Sequence, residues 1–178
     1  MYKNIKKHIH SINFITLLFI SSLLLISCKS SPKLLVFPQK KGNMIFIKPV
    51  DTKTSAIPFF SIDFTTFIDK GEIINDSSLK YSIIVKDMSA KNIEELNFDF
   101  LFGDNNIHLS HTTLYIESIK KSAIKIRFES VLSADEAKSI IETNDSLLIH
   151  IFNEDGTYSQ TIPLVKFKEQ LNDLRIYF

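Results

Sequence analysis

The sequence predicts a mainly β protein: an antiparallel β-sandwich of immunoglobulin-like architecture with one inserted helix and a C-terminal helix. Three observations support this prediction. Apolar and polar residues alternate along several short segments, and clusters of Gly, Asn and Asp separate the segments. The chain has 15 phenylalanines, and phenylalanine recurs in the alternating runs. A single closed barrel is the alternative architecture.

Four segments alternate most clearly and are predicted as strands with one buried and one exposed face. Their inward residues are Phe60, Ile62 and Phe64; Tyr81, Ile83 and Val85; Leu96, Phe98, Phe100 and Phe102; and Ile124, Ile126 and Phe128. Weaker strand patterns cover residues 44–50, 107–117, 147–152 and 157–162. Turn residues at 69–71, 103–106 and 153–156 separate the strands, and the last two turns are predicted as hairpin connections.

One helix is predicted between the strand ending near Glu129 and the strand starting near Leu147. Ser133 and Glu136 have the spacing of a capping box, which predicts the helix start. An apolar stripe follows, formed by Ala137, Ile140 and Ile141. We expect this helix to be a crossover at the sandwich edge.

A second helix is predicted near the C-terminus. Its apolar residues are spaced for one helical face: Leu164, Phe167, Leu171 and Leu174. Pro163 would then occupy a tolerated first-turn position. The alternative is a strand that continues through Val165 and Phe167, and the helix is favoured.

The first 28 residues have the pattern of a secretory signal. Lys3, Lys6 and Lys7 precede an apolar stretch over residues 14–26, and the only cysteine of the chain, Cys28, follows it. The apolar stretch is about 13 residues, whereas a membrane-spanning helix needs roughly 20. An ordinary cleaved signal and an uncleaved anchor are the alternatives to a lipoprotein signal.

The run Leu25-Ile26-Ser27-Cys28 resembles the lipobox of bacterial lipoproteins. The resemblance implies that residues 1–27 are removed, that Cys28 is lipidated, and that residues 28–33 tether a single domain over residues 34–178. Acyl chains on Cys28 would anchor the protein to the cell envelope, and Lys rather than Asp at position 29 favours the outer membrane. The Lys-, Ile-, Asn- and Phe-rich composition is similar to that of small spirochaete lipoproteins.

Removal of the signal leaves 151 residues with 18 basic and 20 acidic side chains, since the signal contains three lysines and no acid. This length suits one domain with its own core. The charge balance argues against nucleic acid as a partner, and no polybasic run indicates a second membrane contact. Acylation of the single cysteine leaves no thiol for disulfides, catalysis or metal binding.

The remaining polar residues show no pattern for catalysis, a cofactor or a metal. His108 and His111 are three apart in one predicted strand, so they lie on opposite faces unless a bulge intervenes near residues 112–113. His150 faces away from the apolar side of its strand. The acids mostly fall at turns or exposed strand positions: Asp63, Asp69, Glu72, Asp76, Glu94, Glu95, Asp99 and Asp104. The chain contains neither a Gly-x-Ser-x-Gly elbow nor a glycine-rich phosphate loop.

Several aromatic residues are out of phase with the inward rows or lie at strand ends: Phe59, Phe67, Tyr115, Phe152 and Tyr158. They either complete the core or anchor a partner, and the core is favoured. The apolar C-terminus, Ile176-Tyr177-Phe178, is a candidate partner-binding segment that either docks on the domain or contacts a protein partner.

These patterns favour a non-catalytic binding or assembly module, anchored by lipid, that binds through loops or an exposed sheet edge. One alternative is a structural lipoprotein that holds an envelope complex through its C-terminal helix, and a hydrolase is the remaining hypothesis. The sequence does not distinguish the periplasmic from the surface face, and it does not identify the protein partner.

Overall fold

The computed structural model describes residues 33–178 except 55, 56, 58, 87–94, 121 and 122. The strands in this part of the chain are β1 (Leu34–Pro38), β2 (Asn43–Thr52), β3 (Phe59–Asp69), β4 (Glu72–Ile73), β5 (Ser77–Lys86), β6 (Leu96–Phe102), β7 (Asn105–His108), β8 (His111–Lys120), β9 (Ala123–Leu132), β10 (Leu148–Asn153) and β11 (Ser159–Pro163). The helices are α1 (Ala134–Glu142) and α2 (Val165–Leu174), and a 3₁₀ turn, Arg175–Tyr177, follows α2.

The strands form two antiparallel sheets. The larger sheet has the order β1-β2-β3-β5-β9-β8, with β4 paired to β3, and the smaller sheet has the order β11-β10-β6-β7. The described part of the chain is therefore mainly β with two helices, as predicted, and its sheets are arranged as a sandwich. The immunoglobulin-like strand arrangement remains a prediction.

One hydrophobic core lies between the two sheets. Tyr81 of β5 contacts Phe98 of β6 with 4.7 Å between ring centroids, and Phe98 lies 4.9 Å from Phe128 of β9. Edge-on and tilted aromatic contacts of this kind stabilise beyond the area they bury. The alternating residues of the four clearest predicted strands therefore do form the core, with Ile124 only partly buried.

Helix α1 forms as its sequence predicts. The side chain of Ser133 accepts a hydrogen bond from the backbone of Glu136, and the Glu136 carboxylate accepts one from the backbone of Ser133, which completes the capping box. The apolar stripe of α1 is buried in the core. Because β9 belongs to the larger sheet and β10 to the smaller one, α1 is the predicted crossover between sheets.

The C-terminal helix α2 is present, and its predicted apolar residues are buried. Pro163 is not in its first turn, contrary to the prediction. Pro163 is the last residue of β11, paired with Leu148, and the helix begins two residues later. A proline at a strand end at the sheet edge costs little, because β11 has a described neighbour on one side only.

The predicted strand over residues 107–117 is two strands in different sheets. β7 pairs with β6 in the smaller sheet, and β8 pairs with β9 in the larger one. The chain changes sheet at Leu109, whose backbone N–H donates to the carbonyl of Phe98 at 2.8 Å. Period-two alternation does not report which sheet a residue belongs to, so the break was not visible in the sequence.

The β1–β2 hairpin closes tightly against the end of β3. Gly42 has φ of +70°, and a β-carbon there would lie 2.2 Å from the carbonyl oxygen of Ile68. Only glycine fits both the left-handed backbone and this close approach. The hairpin turn, which contains Lys40 and Lys41, is thereby held beside β3.

Candidate functional site

Strand β8 forms one edge of the larger sheet. Among the described residues it pairs with β9 alone, so the backbone N–H and C=O groups on its other side have no strand partner in this part of the chain. Ten residues make β8 as long as the interior strands β5 and β9. A long edge strand offers a template to which another extended segment can pair.

The side chains of β8 are exposed on both faces of the strand. Residues 112–119 are all exposed. Four of them are large and apolar, with exposed fractions of 42 to 47%: Leu114, Tyr115, Ile116 and Ile119. Proteins usually protect an edge strand with charges, proline or a covering element, and an apolar uncovered edge indicates an interaction site.

Two irregularities in the β8–β9 ladder shape this edge. The register shifts between Thr113 and Tyr115 and again between Ser118 and Lys120, so Leu114 and Ile119 are the extra residues. A bulge re-aims the side chain of the extra residue and bends the strand. The first shift adjoins residues 112–113, where the sequence suggested a bulge. Between the two shifts, Tyr115 to Ser118 form a regular stretch.

The opposite edge of the larger sheet is β1, which is half as long as β8. Pro38 ends β1 and has no backbone N–H to offer. The β1 edge is thus less suited than β8 to the addition of another strand.

A buried ion pair ties three strands together on the outward face of the larger sheet. Arg127 of β9 extends across β5, where it donates to the hydroxyl of Ser82 at 3.1 Å, and reaches the carboxylate of Asp63 on β3 at 2.5 Å. The Asp63 side chain is only 4% exposed. Burial raises the pKa of Asp63, and the Arg127 guanidinium offsets part of this increase.

A second polar group lies beside this pair. Glu129 accepts a hydrogen bond from Ser78 at 2.7 Å and lies 3.4 Å from the ammonium of Lys80. The Ser78 hydrogen bond is the main reason that the pKa of Glu129 is lowered. Every polar side chain in these two groups has a partner within the sheet, so their arrangement is that of a structural network.

The histidines do not converge. His108 of β7 lies 2.7 Å from the Asp99 carboxylate, while the ring of His111 on β8 packs edge-on against Phe98 and Phe128. Burial lowers the pKa of His111. His150 of β10 contacts the hydroxyl of Ser159 at 3.0 Å. Among the described residues, no group of three or more His, Cys, Asp or Glu side chains is placed to hold a metal ion.

A cleft of about 360 Å³ lies between the end of α1 and helix α2. Its two cations contact the last carbonyl groups of α1: Arg175 donates to Ile141 at 2.8 Å and also to Thr143, and Lys168 donates to Thr143. Cations at a helix C-terminus stabilise the helix. Burial, with repulsion from Arg175, lowers the pKa of Lys168 to about 8. These cations therefore cap α1.

The C-terminal segment docks on the domain. Tyr177 is half-buried against the core, and a β-carbon on Gly71 would lie 2.9 Å from the carbonyl oxygen of Phe178. Phe178 is itself partly exposed, and Ile176 is 80% exposed. The role of the C-terminal segment in partner binding stays a prediction, and Ile176 is the residue of the segment most accessible to a partner.

The other residues singled out from the sequence are scattered. Tyr115 is exposed on β8, whereas Phe59, Phe67, Phe152 and Tyr158 are half-buried, and only Tyr158 among them packs against the core. Asp63 is buried rather than solvated, which corrects the prediction.

Cys28, the lipobox and Glu94 lie outside the described residues. No helix within the described ranges is long and apolar enough to span a membrane.

No family model, curated protein or solved structure matches this chain.

Sequence reasoning missed two features of these surfaces. The exposed apolar edge of β8 had a visible signal, since Leu114, Tyr115 and Ile116 are consecutive and break the alternation. The sequence contains no signal for the Asp63–Arg127 pair, because the two residues are 64 positions apart and each is a polar residue on the outward face of its strand.

Proposed function

We propose that this protein is a lipid-anchored, non-catalytic binding module of the cell envelope, and that β8 binds an extended apolar segment of a partner protein. The observation that carries this proposal is the ten-residue edge strand whose residues 112–119 are all exposed. Backbone pairing supplies affinity in this mode of recognition, and the side chains on either face supply specificity.

The partner segment is expected to be apolar and extended. Tyr115 and Glu117 share the outward face of β8, because they pair with Arg127 and Lys125 of β9, while Ile116 pairs with Ile126 on the inward side. A partner strand beside β8 would meet both rows. Burial of Ile116 and Tyr115 would stabilise the complex by roughly 25 cal/mol for each Å² of apolar surface removed from water.

The alternative, an envelope-complex protein that uses its C-terminal helix, has less support. Phe167, Leu171 and Leu174 are buried in the domain's own core, so the apolar face of α2 is already occupied. The exposed large apolar residues at this end of the described chain are Val165, Ile176 and Phe178.

Site-specific photo-crosslinking in intact cells tests the β8 proposal. A benzophenone amino acid at Tyr115 should give a discrete adduct, whereas the same group at Thr161, exposed on β11, should give none. Ile116→Lys should abolish the adduct, and the matched variant Val165→Lys, at an exposed apolar position of α2, should retain it. Adducts of equal yield at both sites, or none at Tyr115, would refute binding at β8. An adduct of twice the protomer mass would identify a second copy as the occupant.

The anchor is tested separately. Mass spectrometry of the N-terminal peptide from the membrane fraction should show acyl chains on Cys28, and Cys28→Ser should leave the protein unprocessed. An unmodified Cys28 in the mature protein would contradict the lipoprotein assignment without affecting the crosslinking result.

A further inference from the structure

The outward face of the first three strands bears five large apolar side chains. Leu34 and Val36 pack against the core, so residues 35 and 37 of β1 lie on the opposite face of the sheet. We call this surface the β1–β3 face, and its members are Leu35, Phe37, Met44, Phe46 and Phe67. Phe37 is 42% exposed and the other four are half-buried.

Strand register makes the β1–β3 face continuous. Phe37 pairs with Met44, and Met44 pairs with Phe67, which places three apolar side chains in one row across three strands. Leu35 pairs with Phe46 in the next row of the same face. A contiguous apolar surface of this kind on a soluble domain marks a place of interaction.

Four lysines border the β1–β3 face. Lys33 and Lys48 lie at the end where the chain enters β1, joined by a backbone hydrogen bond of 3.0 Å. Lys40 and Lys41 lie in the hairpin turn at the other end, in a shallow depression that also includes Phe67 and the acid Asp69. The sequence has no polybasic run, but the hairpin places these separated lysines around one apolar surface.

The position of this face along the chain limits what it can meet. Five peptide links separate Cys28 from Lys33, the residue before β1, so Lys33 lies at most about 17 Å from Cys28. If Cys28 is acylated, as the proposed function requires, β1 and β2 are held next to a phospholipid surface. The local concentration of lipid headgroups at the β1–β3 face is then high at all times.

We propose that the β1–β3 face lies on an anionic phospholipid surface, with its apolar side chains in the interface and its lysines at the lipid phosphates. This inference rests on the proposed lipid anchor. Apolar side chains at headgroup depth with surrounding lysines are the combination that holds a protein flat on a bilayer. Lysines also keep their charge in water while their stems lie along apolar surface. A second protein copy fits less well, because copies would bring their lysines together.

A single fluorescent label tests this orientation. With Cys28 acylated, an introduced cysteine is the only thiol, so Phe37→Cys and the control Thr161→Cys on β11 can each carry one nitrobenzoxadiazole group. The lipidated proteins are placed in vesicles of phosphatidylcholine with phosphatidylglycerol and exposed to dithionite, which reduces only water-accessible label. We expect reduction at position 37 to be markedly slower than at position 161, because the label at position 37 would lie among the lipid headgroups. Circular dichroism confirms that both variants are folded.

Charge reversal separates lipid contact from other causes of protection. Lys40→Glu with Lys41→Glu should speed reduction at position 37 in the anionic vesicles, since each lysine near an anionic leaflet contributes about fivefold in affinity. The same two substitutions should change the rate of reduction little in vesicles of phosphatidylcholine alone.

The outcomes distinguish the inference from the proposed function. Acylated Cys28 with equal reduction at positions 37 and 161 would overturn the membrane-facing surface and leave the anchor standing. An unmodified Cys28 would overturn the anchor and this inference together. Protection at position 37 that disappears when the protein is diluted into excess lipid would show that a second copy covers the face, and would also overturn it.

Discussion

Replacement of Arg127 by methionine tests how far the larger sheet depends on the buried ion pair. Methionine keeps most of the side-chain length but removes every donor, so the carboxylate of Asp63, which is 4% exposed, loses its charged partner. Removing one member of a buried pair costs about 3 to 5 kcal/mol. For a domain of about 145 residues the unfolding entropy is roughly 0.3 kcal/mol per kelvin, so the melting temperature should fall by roughly 10 to 17 °C.

Substitution of the other member of the pair, Asp63→Asn, should lower the free energy of unfolding by less. Arg127 is 23% exposed, so water can solvate the guanidinium, and the asparagine oxygen still accepts a hydrogen bond. We expect a loss of about 1 to 2 kcal/mol. In the double variant no buried charge remains, and the loss should be smaller than the sum of the two single losses by about 1 to 3 kcal/mol.

The pH dependence gives an independent check. Because burial raises the pKa of Asp63, the folded protein binds this proton more tightly than the unfolded chain does. The contribution of Asp63 to stability therefore falls as pH rises from its ordinary pKa of 3.8 to its folded pKa. Loss of Arg127 raises the folded pKa further, so the methionine variant should lose more stability near pH 7 than near pH 4 relative to wild type.

Urea unfolding of the lipidated protein in detergent, followed by circular dichroism, measures all four proteins. Equal losses for both single variants, strict additivity in the double variant and no effect of pH would together refute the assignment of a buried, charge-dependent pair.

Two further predictions concern the helices. Glu136→Ala removes half of the α1 capping box and should lower the free energy of unfolding in urea by about 1 kcal/mol. The control Glu142→Ala, exposed at the other end of α1, should be nearly neutral. Equal effects of the two substitutions would contradict the role of the capping box. Between the lowered pKa of Lys168, about 8, and its ordinary 10.5, the unfolded chain binds more protons than the folded one, so the stability contributed by Lys168 should rise with pH. As the pH rises through this range, the urea midpoint of wild type should increase relative to that of Lys168→Met. A difference between the two midpoints that does not change with pH would refute the lowered pKa.

Much of the fold followed from local patterns in the sequence. The capping box of Ser133 and Glu136 places the start of α1, and the spacing of Phe167, Leu171 and Leu174 selects a helix over a strand. These elements were predictable because the period of burial and the capping chemistry are encoded within a few residues.

The features that were missed depend on non-local geometry. The change of sheet at Leu109 depends on which strands β7 and β8 meet, and β9, the partner of β8, comes later in the chain. Asp63 has a charged partner because Arg127 reaches it from two strands away. The β1–β3 face exists because the hairpin places Met44 between Phe37 and Phe67. Strand order decides all three features, and alternation along one strand carries no information about strand order.

The order of the larger sheet has a mechanical consequence. β1, which continues into the segment containing Cys28, and β8 are its two edges, separated by five inter-strand steps or roughly 24 Å. Any pull between a membrane anchor and a ligand on β8 would be transmitted through every hydrogen-bonded ladder between them. The shortest of these ladders is β1–β2, with five paired positions. Under load β1 would therefore detach first, while the other strands of the sheet stay paired.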